Sequence, residues 1–173
     1  MPRLVDQGVT RLTWVRGEDG IANPEAPTVA ELTGQGATDL TCLMVTTYEV
    51  RPDASETTNE RAVCETANVD TPTVQNYMGR FELFRQWDPD TGEWSASEDP
   101  LALFDFGDVG WFVRRTGLPK DTPYAAGQQV EVYKFMVDTP QPQSGTGSGY
   151  VKVTVPLLQQ GTFTVRAVVD DAS

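Results

Sequence analysis

Along most of the chain, apolar and polar residues alternate with a period of two, which puts successive side chains on opposite faces of a strand. From Val9 to Val15, Leu12 and Trp14 fall on one face and Val9 and Val15 on the other. The run Thr73 to Trp87 is longer. Tyr77, Phe81, Leu83 and Trp87 share a face, with Arg80, Glu82 and Gln86 opposite, so it reads as one long strand with one wet face. Val109–Arg115, Gln129–Val137, Tyr150–Leu157 and Thr162–Val169 continue the pattern. In the third of these, Val151, Val153, Val155 and Leu157 alternate with Lys152, Thr154 and Pro156. Shorter strands are expected at Leu40–Leu43, Thr47–Arg51 and Arg61–Glu65. Trp111 and Phe112 are neighbours on one strand and point to opposite faces. At least one of them needs cover, from a second layer or from a neighbouring subunit.

Two segments break the alternation. Thr28-Val29-Ala30-Glu31 fits a capping box, in which Thr28 and Glu31 each satisfy a free backbone N–H; Pro24 and Pro27 precede it and Gly34 and Gly36 follow. A short helix is expected there. In Asp99–Gly107, Asp99 suits an N-cap, Pro100 the first helical position and Gly107 the stop. Leu101, Phe104 and Leu103 would lay this second helix on a sheet. Three segments read as arm or loop: the N-terminal arm Met1–Gly8, the polar loop Arg51–Asn59 and the Pro-, Gly- and Ser-rich loop Thr139–Gly149. The strands after the last loop are too few for a second core, so residues 1–173 read as one domain. The fold class is mainly β: a β-sandwich or barrel-like sheet with a flanking α-helix and long loops.

Length and composition narrow the function. The chain has 173 residues, 39% of them apolar and 9% aromatic, enough for a single core with some surface left for loops or partners. No segment is apolar for long enough to cross a bilayer, and Met-Pro-Arg-Leu lacks the apolar core of a signal peptide, so no membrane insertion and a cytoplasmic synthesis are expected. Acids outnumber Lys and Arg 25 to 13, for a net charge of −12. Tight nucleic-acid binding needs the opposite balance. Cys42 and Cys64 lie in separate apolar patches and read as reduced core thiols, with a disulfide as the alternative.

Candidate chemistry is sparse. There is no histidine, which removes the commonest general base and the commonest zinc ligand. Two isolated cysteines make neither a zinc site nor a Cys–His nucleophile, and no nucleophile elbow, P-loop or dinucleotide fingerprint is present. Asp88-Pro89-Asp90-Thr91-Gly92-Glu93 has part of the spacing of a calcium loop. The same residues make a plain hairpin turn, which is the preferred reading. No carboxylate pair stands out for glycoside hydrolysis. Trp14, Trp87, Trp94 and Trp111 could form a sugar-stacking platform, but they suit a core or a subunit interface better. No catalytic, metal-ligating or cofactor-binding residue is assigned, and an enzyme is the weakest reading.

Two blocks resemble a known family. The stretch Ile21-Ala22-Asn23-Pro24-Glu25-Ala26-Pro27-Thr28-Val29-Ala30-Glu31-Leu32, then Asp39-Leu40-Thr41, is similar to the N-terminal part of major tail tube proteins of long non-contractile-tailed (siphovirus-type) phages of actinobacteria. Asp99-Pro100-Leu101-Ala102-Leu103-Phe104, followed by Gly110-Trp111-Phe112-Val113-Arg114-Arg115-Thr116-Gly117, is similar too. The resemblance covers most of the chain and rests on motifs that are not catalytic. It implies a β-sandwich flanked by a helix, with six copies in a ring whose neighbouring sheets join around a lumen. It also implies rings stacked into a tube in the virion tail that guides the genome to the host. A tape-measure protein would fill the lumen first, and a tail terminator and distal tail proteins would meet the ends. DNA would pass without specific binding, helped by an acidic lumen. Rival readings are a carbohydrate- or calcium-binding β-sandwich module, and a related tail terminator or injection-device tube protein. The arm and both loops are expected to order at ring–ring contacts.

Overall fold

The computed structural model describes residues 7–59, 63–64, 66–67, 70–95, 98–144 and 149–171. Its elements, in chain order, are β1 (Thr10–Arg16), α1 (Val29–Thr33), β2 (Ala37–Asp39), β3 (Glu49–Thr58), β4 (Thr71–Phe84), β5 (Trp87–Asp88), β6 (Glu93–Trp94), α2 (Pro100–Leu103), β7 (Val109–Thr116), β8 (Gln129–Val137), β9 (Gln141–Pro142) and β10 (Lys152–Val168). One antiparallel sheet runs β2-β1-β7-β8-β10-β4-β3, with β9 beside the start of β10. β5 and β6 form a separate small hairpin.

The sheet does not lie flat. It curls until Trp14 of β1 packs against Phe81 of β4. The segment from Leu40 to Tyr48 laces the gap between those strands. Leu40 N donates to Leu12 O, Val45 N donates to Glu82 O, and Phe84 N donates to Leu43 O. The result is barrel-like. Its concave side holds the larger core, centred on Trp14, Phe81, Phe104, Phe112, Tyr133 and Phe135. The convex side carries a second core of Val15, Ile21, Leu32, Trp111, Val132 and Val169, with α1 supplying Leu32. Both Trp111 and Phe112 are therefore buried, on opposite faces of β7.

The helix signals act differently at the two sites. At α1 the capping box is complete: Glu31 N donates to Thr28 Oγ1 at 3.2 Å, and Thr28 N donates to Glu31 Oε2 at 2.7 Å. At α2 the Asp99 side chain makes no cap bond, and the helix stops at Leu103 rather than running to Gly107. Asp99 is instead held by Arg85. Gly107, at φ +88°, then turns the chain into β7. Arg115 is fully buried and donates to the carbonyls of Pro119 (2.8 Å) and Thr122 (2.7 Å), pinning the loop that brings Tyr124 onto the convex core.

Several expectations need correction. Arg51–Asn59 is not a loop, because all but its last residue belong to β3, paired with β4. Its polarity reflects strands exposed on both faces, and backbone pairing holds it extended. Leu40–Leu43 is a turn, with Leu43 N and Met44 N both donating to Leu40 O. Tyr150–Leu157 and Thr162–Val169 are parts of one strand, β10, whose register slips between Gln159 and Phe163, where Gly161 adopts φ +80°. Trp87 does not share the buried face of β4. The strand ends at Phe84, and Trp87 is 53% exposed on the β5–β6 hairpin. Cys42 and Cys64 are exposed free thiols rather than core thiols. Cys42 sits on the turn whose Leu40 and Met44 point inward. Most of the expected strand Arg61–Glu65, residues 1–6 of the arm and residues 145–148 of the later loop lie outside the described residues.

Candidate assembly surfaces

The distal part of the β3–β4 pair has no core of its own. Arg51–Thr58 pairs with β4 from Arg51↔Met78 to Thr58↔Thr71, with register shifts on both sides of Glu56, and no described side chain in Arg51–Thr58 or Thr71–Asn76 is buried. Side-chain bonds to the backbone support the ribbon: Thr73 Oγ1 donates to Glu56 O at 3.1 Å, and Asn76 Nδ2 donates to Ala54 O at 3.1 Å. A two-stranded ribbon is marginal in water unless something covers it. β3 is also the terminal strand of the sheet, and its outer edge pairs with no other described strand.

β10 presents a second surface. Among the described strands, β4 pairs with it only from Lys152 to Leu157, after which β8 continues beside it. Leu158, Val165 and Val168 are exposed along this stretch. At the fork where β10 leaves β4, Tyr77 N donates to Gln159 Oε1, Gln160 N donates to the Tyr77 hydroxyl, and that hydroxyl donates to Lys134 O. Burial raises the Tyr77 pKa, against the lowering effect of the Gln160 amide, which keeps the phenol neutral.

A third surface is aromatic. Trp87 and Trp94 pack edge to face, 5.1 Å between centroids, across the β5–β6 hairpin. Tyr150, 82% exposed, packs on Phe84. Phe84, Arg85, Gln86, Trp87 and Tyr150 line an open groove of about 480 Å³. Arg85 lies over Trp94 at 3.6 Å and forms a fork with Asp99: Nε to Oδ1 at 3.0 Å and Nη2 to Oδ2 at 2.7 Å. The expected calcium-or-turn segment Asp88–Glu93 is the tip of this hairpin. Asp88 Oδ1 accepts from Asp90 N at 2.9 Å, and Gly92 adopts φ +72°. The Asp90 amide, with help from Thr91, holds the Asp88 carboxyl below its usual range. Its Oδ1 is thus engaged in shaping the turn. Trp14 and Trp111 are buried on opposite faces of the sheet, so the four tryptophans form no common platform.

Charges on the face of β3, β4 and β10 away from the concave core are largely matched. Arg80 lies 3.7 Å from Glu49, Arg51 3.8 Å from Asp53, and Lys152 3.1 Å from Glu82. Glu82 also accepts from Thr47 and Gln143. The Thr47 bond, then Lys152 and Gln143, pull its pKa down against the opposing effect of burial. Among the described residues, no group of three or more His, Cys, Asp or Glu is placed to hold a metal ion. No described helix is long and apolar enough to cross a membrane.

Residues 1–172 match the model of a family described as phage tail tube protein. The chain belongs to that family. It is a mainly β structural subunit of the tail tube, and its place is the virion tail. No curated protein matches its sequence. Among solved structures, it is similar to a chain in the cryo-EM structure of the anti-feeding prophage (AFP) baseplate, 6-fold symmetrised. The TM-score is 0.55 at 12% identity, over 95% of this chain and 96% of that one, a likeness of fold. Sequence reading found no site residues for this tube subunit, and its assembly surfaces were hidden for a physical reason. The β3 ribbon was masked by its polarity. The β10 edge did leave a trace, because no charge occurs from Gln159 to Val165.

Proposed function

We propose that this chain acts as a single tube domain that forms hexameric rings, stacked into the tail tube of a long non-contractile-tailed phage of actinobacteria. The tube is the conduit for genome delivery. The tape-measure protein fills it first, the tail terminator and distal tail proteins close its ends, and assembly takes place in the host cytoplasm. The subunit carries no catalytic role. The observation that carries this reading is the β3–β4 ribbon: an extended pair of strands with no core in its own subunit is built to be covered by neighbours. The 6-fold symmetrised baseplate that holds the similar chain supports the count of six. Matched charges on the free face of β3, β4 and β10, with the chain's net charge of −12, support passage of DNA without specific binding. The segments Met1–Gly8, Arg51–Asn59 and Thr139–Gly149 serve as ring–ring contacts.

Negative-stain electron microscopy at rising protein concentration, with light scattering alongside, tests it. Six-fold rings or tubes with a central hole are expected. Rings of another order would overturn the count. A lasting monomer whose melting temperature rises with glycan or calcium would replace the tube reading with a binding module.

A further inference from the structure

We propose that the open edge of β10, from Thr162 to Arg166, is the surface on which β3 of a second copy of this chain docks, with Arg166 facing Asp53 and Glu56. The proposal rests on the ring reading and names the two edges that mate.

The edge is defined at both ends. On its early side, the Tyr77 hydroxyl takes the Gln160 amide. On its late side, Val168 N donates to Glu25 O at 3.0 Å. Between these points β8 is the only described strand beside β10; it pairs at Phe163 and Thr164, and a second register shift leaves Val165 and Arg166 without a β8 partner. Subunits that stay alone guard such an edge with charge or proline. Here exposed Leu158, Val165 and Val168 accompany a single charge, Arg166. Arg166 is exposed and has no ion partner among the described residues.

β3 is complementary. Its outer edge pairs with no other described strand, and it carries the exposed acids Asp53 and Glu56. Glu56 has no ion partner among the described residues, and Arg51 holds Asp53 only across an exposed 3.8 Å gap. Pro52 lacks an N–H, so pairing begins beyond it. Pairing of β3 with another β3 would set acid against acid. The favoured contact therefore joins two different surfaces, and such a contact closes into a ring when repeated by rotation.

The sense of the pairing follows from the sheet. β3 is antiparallel to β4, and β4 is antiparallel to β10, so β3 and β10 run the same way within one chain. Rotation about a ring axis preserves the sense of every strand along that axis. The β3–β10 pair between copies is therefore parallel, and residue numbers rise together along it.

Disulfide trapping in assembled material tests this. In a Cys42→Ser, Cys64→Ser background, Val165→Cys is combined in turn with Ala54→Cys, Glu56→Cys or Thr58→Cys. All are surface or half-exposed positions, and unchanged thermal melts confirm folding. One combination should give a ladder of cross-linked copies on a denaturing gel. Moving the first cysteine to Thr162→Cys should shift the best partner to a lower number. Arg166→Glu should raise the concentration at which assemblies appear about tenfold, and adding Glu56→Lys should bring it back. Assemblies with no ladder at any position overturn the edge assignment and leave the ring reading standing. A partner that shifts the other way overturns the parallel sense. Failure of the unmodified protein to assemble overturns both readings.

Discussion

The rings of Trp14 and Phe81 meet edge to face, 5.9 Å between centroids at an interplanar angle of 88°. In sheet order, β7, β8 and β10 lie between the strands that carry them. A flat sheet would hold those strands roughly 19 Å apart. Curling the sheet and filling its hollow are thus one event, centred on Trp14, Phe81 and Phe104. Phe81→Ala is expected to cost about 3–5 kcal/mol in urea unfolding. Gly110→Ala should cost about 1–3 kcal/mol by overpacking, because its methyl would collide with the Trp14 indole.

Asp99 is 3% exposed and meets Arg85 through two hydrogen bonds. Removing one member strands the other in a poorly solvated site. Asp99→Ala should therefore lose about 3–5 kcal/mol, and the double variant Arg85→Met, Asp99→Leu clearly less. A double-mutant cycle by chemical denaturation reads the difference.

Glu82 has a carboxyl held below its ordinary range in the folded chain, by Thr47 first and then by Lys152 and Gln143. A depressed folded pKa means that the unfolded state takes up the proton first as the pH falls. The stabilisation is complete above the unfolded value, near about 4.3, and is lost as the pH drops through the folded value. Glu82→Gln should accordingly lower the melting temperature at neutral pH and flatten its fall below about pH 4.5. Melts from pH 7 to pH 3 test the slope.

The ribbon contributes no buried side chain to the subunit. Replacing residues 54–75 by a tight Asn-Gly turn should leave the melting temperature within about 3 °C of the parent. The same variant should form no tubes. Calorimetry and electron microscopy on one preparation separate the two effects.

The body of the fold was legible where one physical rule acted alone. Gln129–Val137 was read at its observed bounds as β8, because its apolar positions feed both cores, Val130 and Val132 on one face and Tyr133, Phe135 and Val137 on the other. Thr28 and Glu31 gave α1 through a cap that needs only local partners. Rules failed where two competed. Asp99 was read as a cap, but a guanidinium held its carboxylate more strongly. Tyr150–Leu157 and Thr162–Val169 were read as two strands, yet Gly161 between them serves as a bend within one. Arg51–Asn59 was read as loop because its side chains look solvated, while the order of all but its last residue comes from backbone pairing that no hydrophobic pattern records. The assembly surfaces share that difficulty, since their partners are other chains.

β7 is committed on both faces, with Trp111 in one core and Phe112 in the other. The ribbon is committed on neither. Random substitution should divide along that line. In a library sorted only for soluble, folded monomer, β7 would stay nearly invariant while the ribbon drifted freely. Sorted instead for virions that infect, the ribbon would become as intolerant as β7, and the positions that changed between the two sorts would trace the seams of the tube.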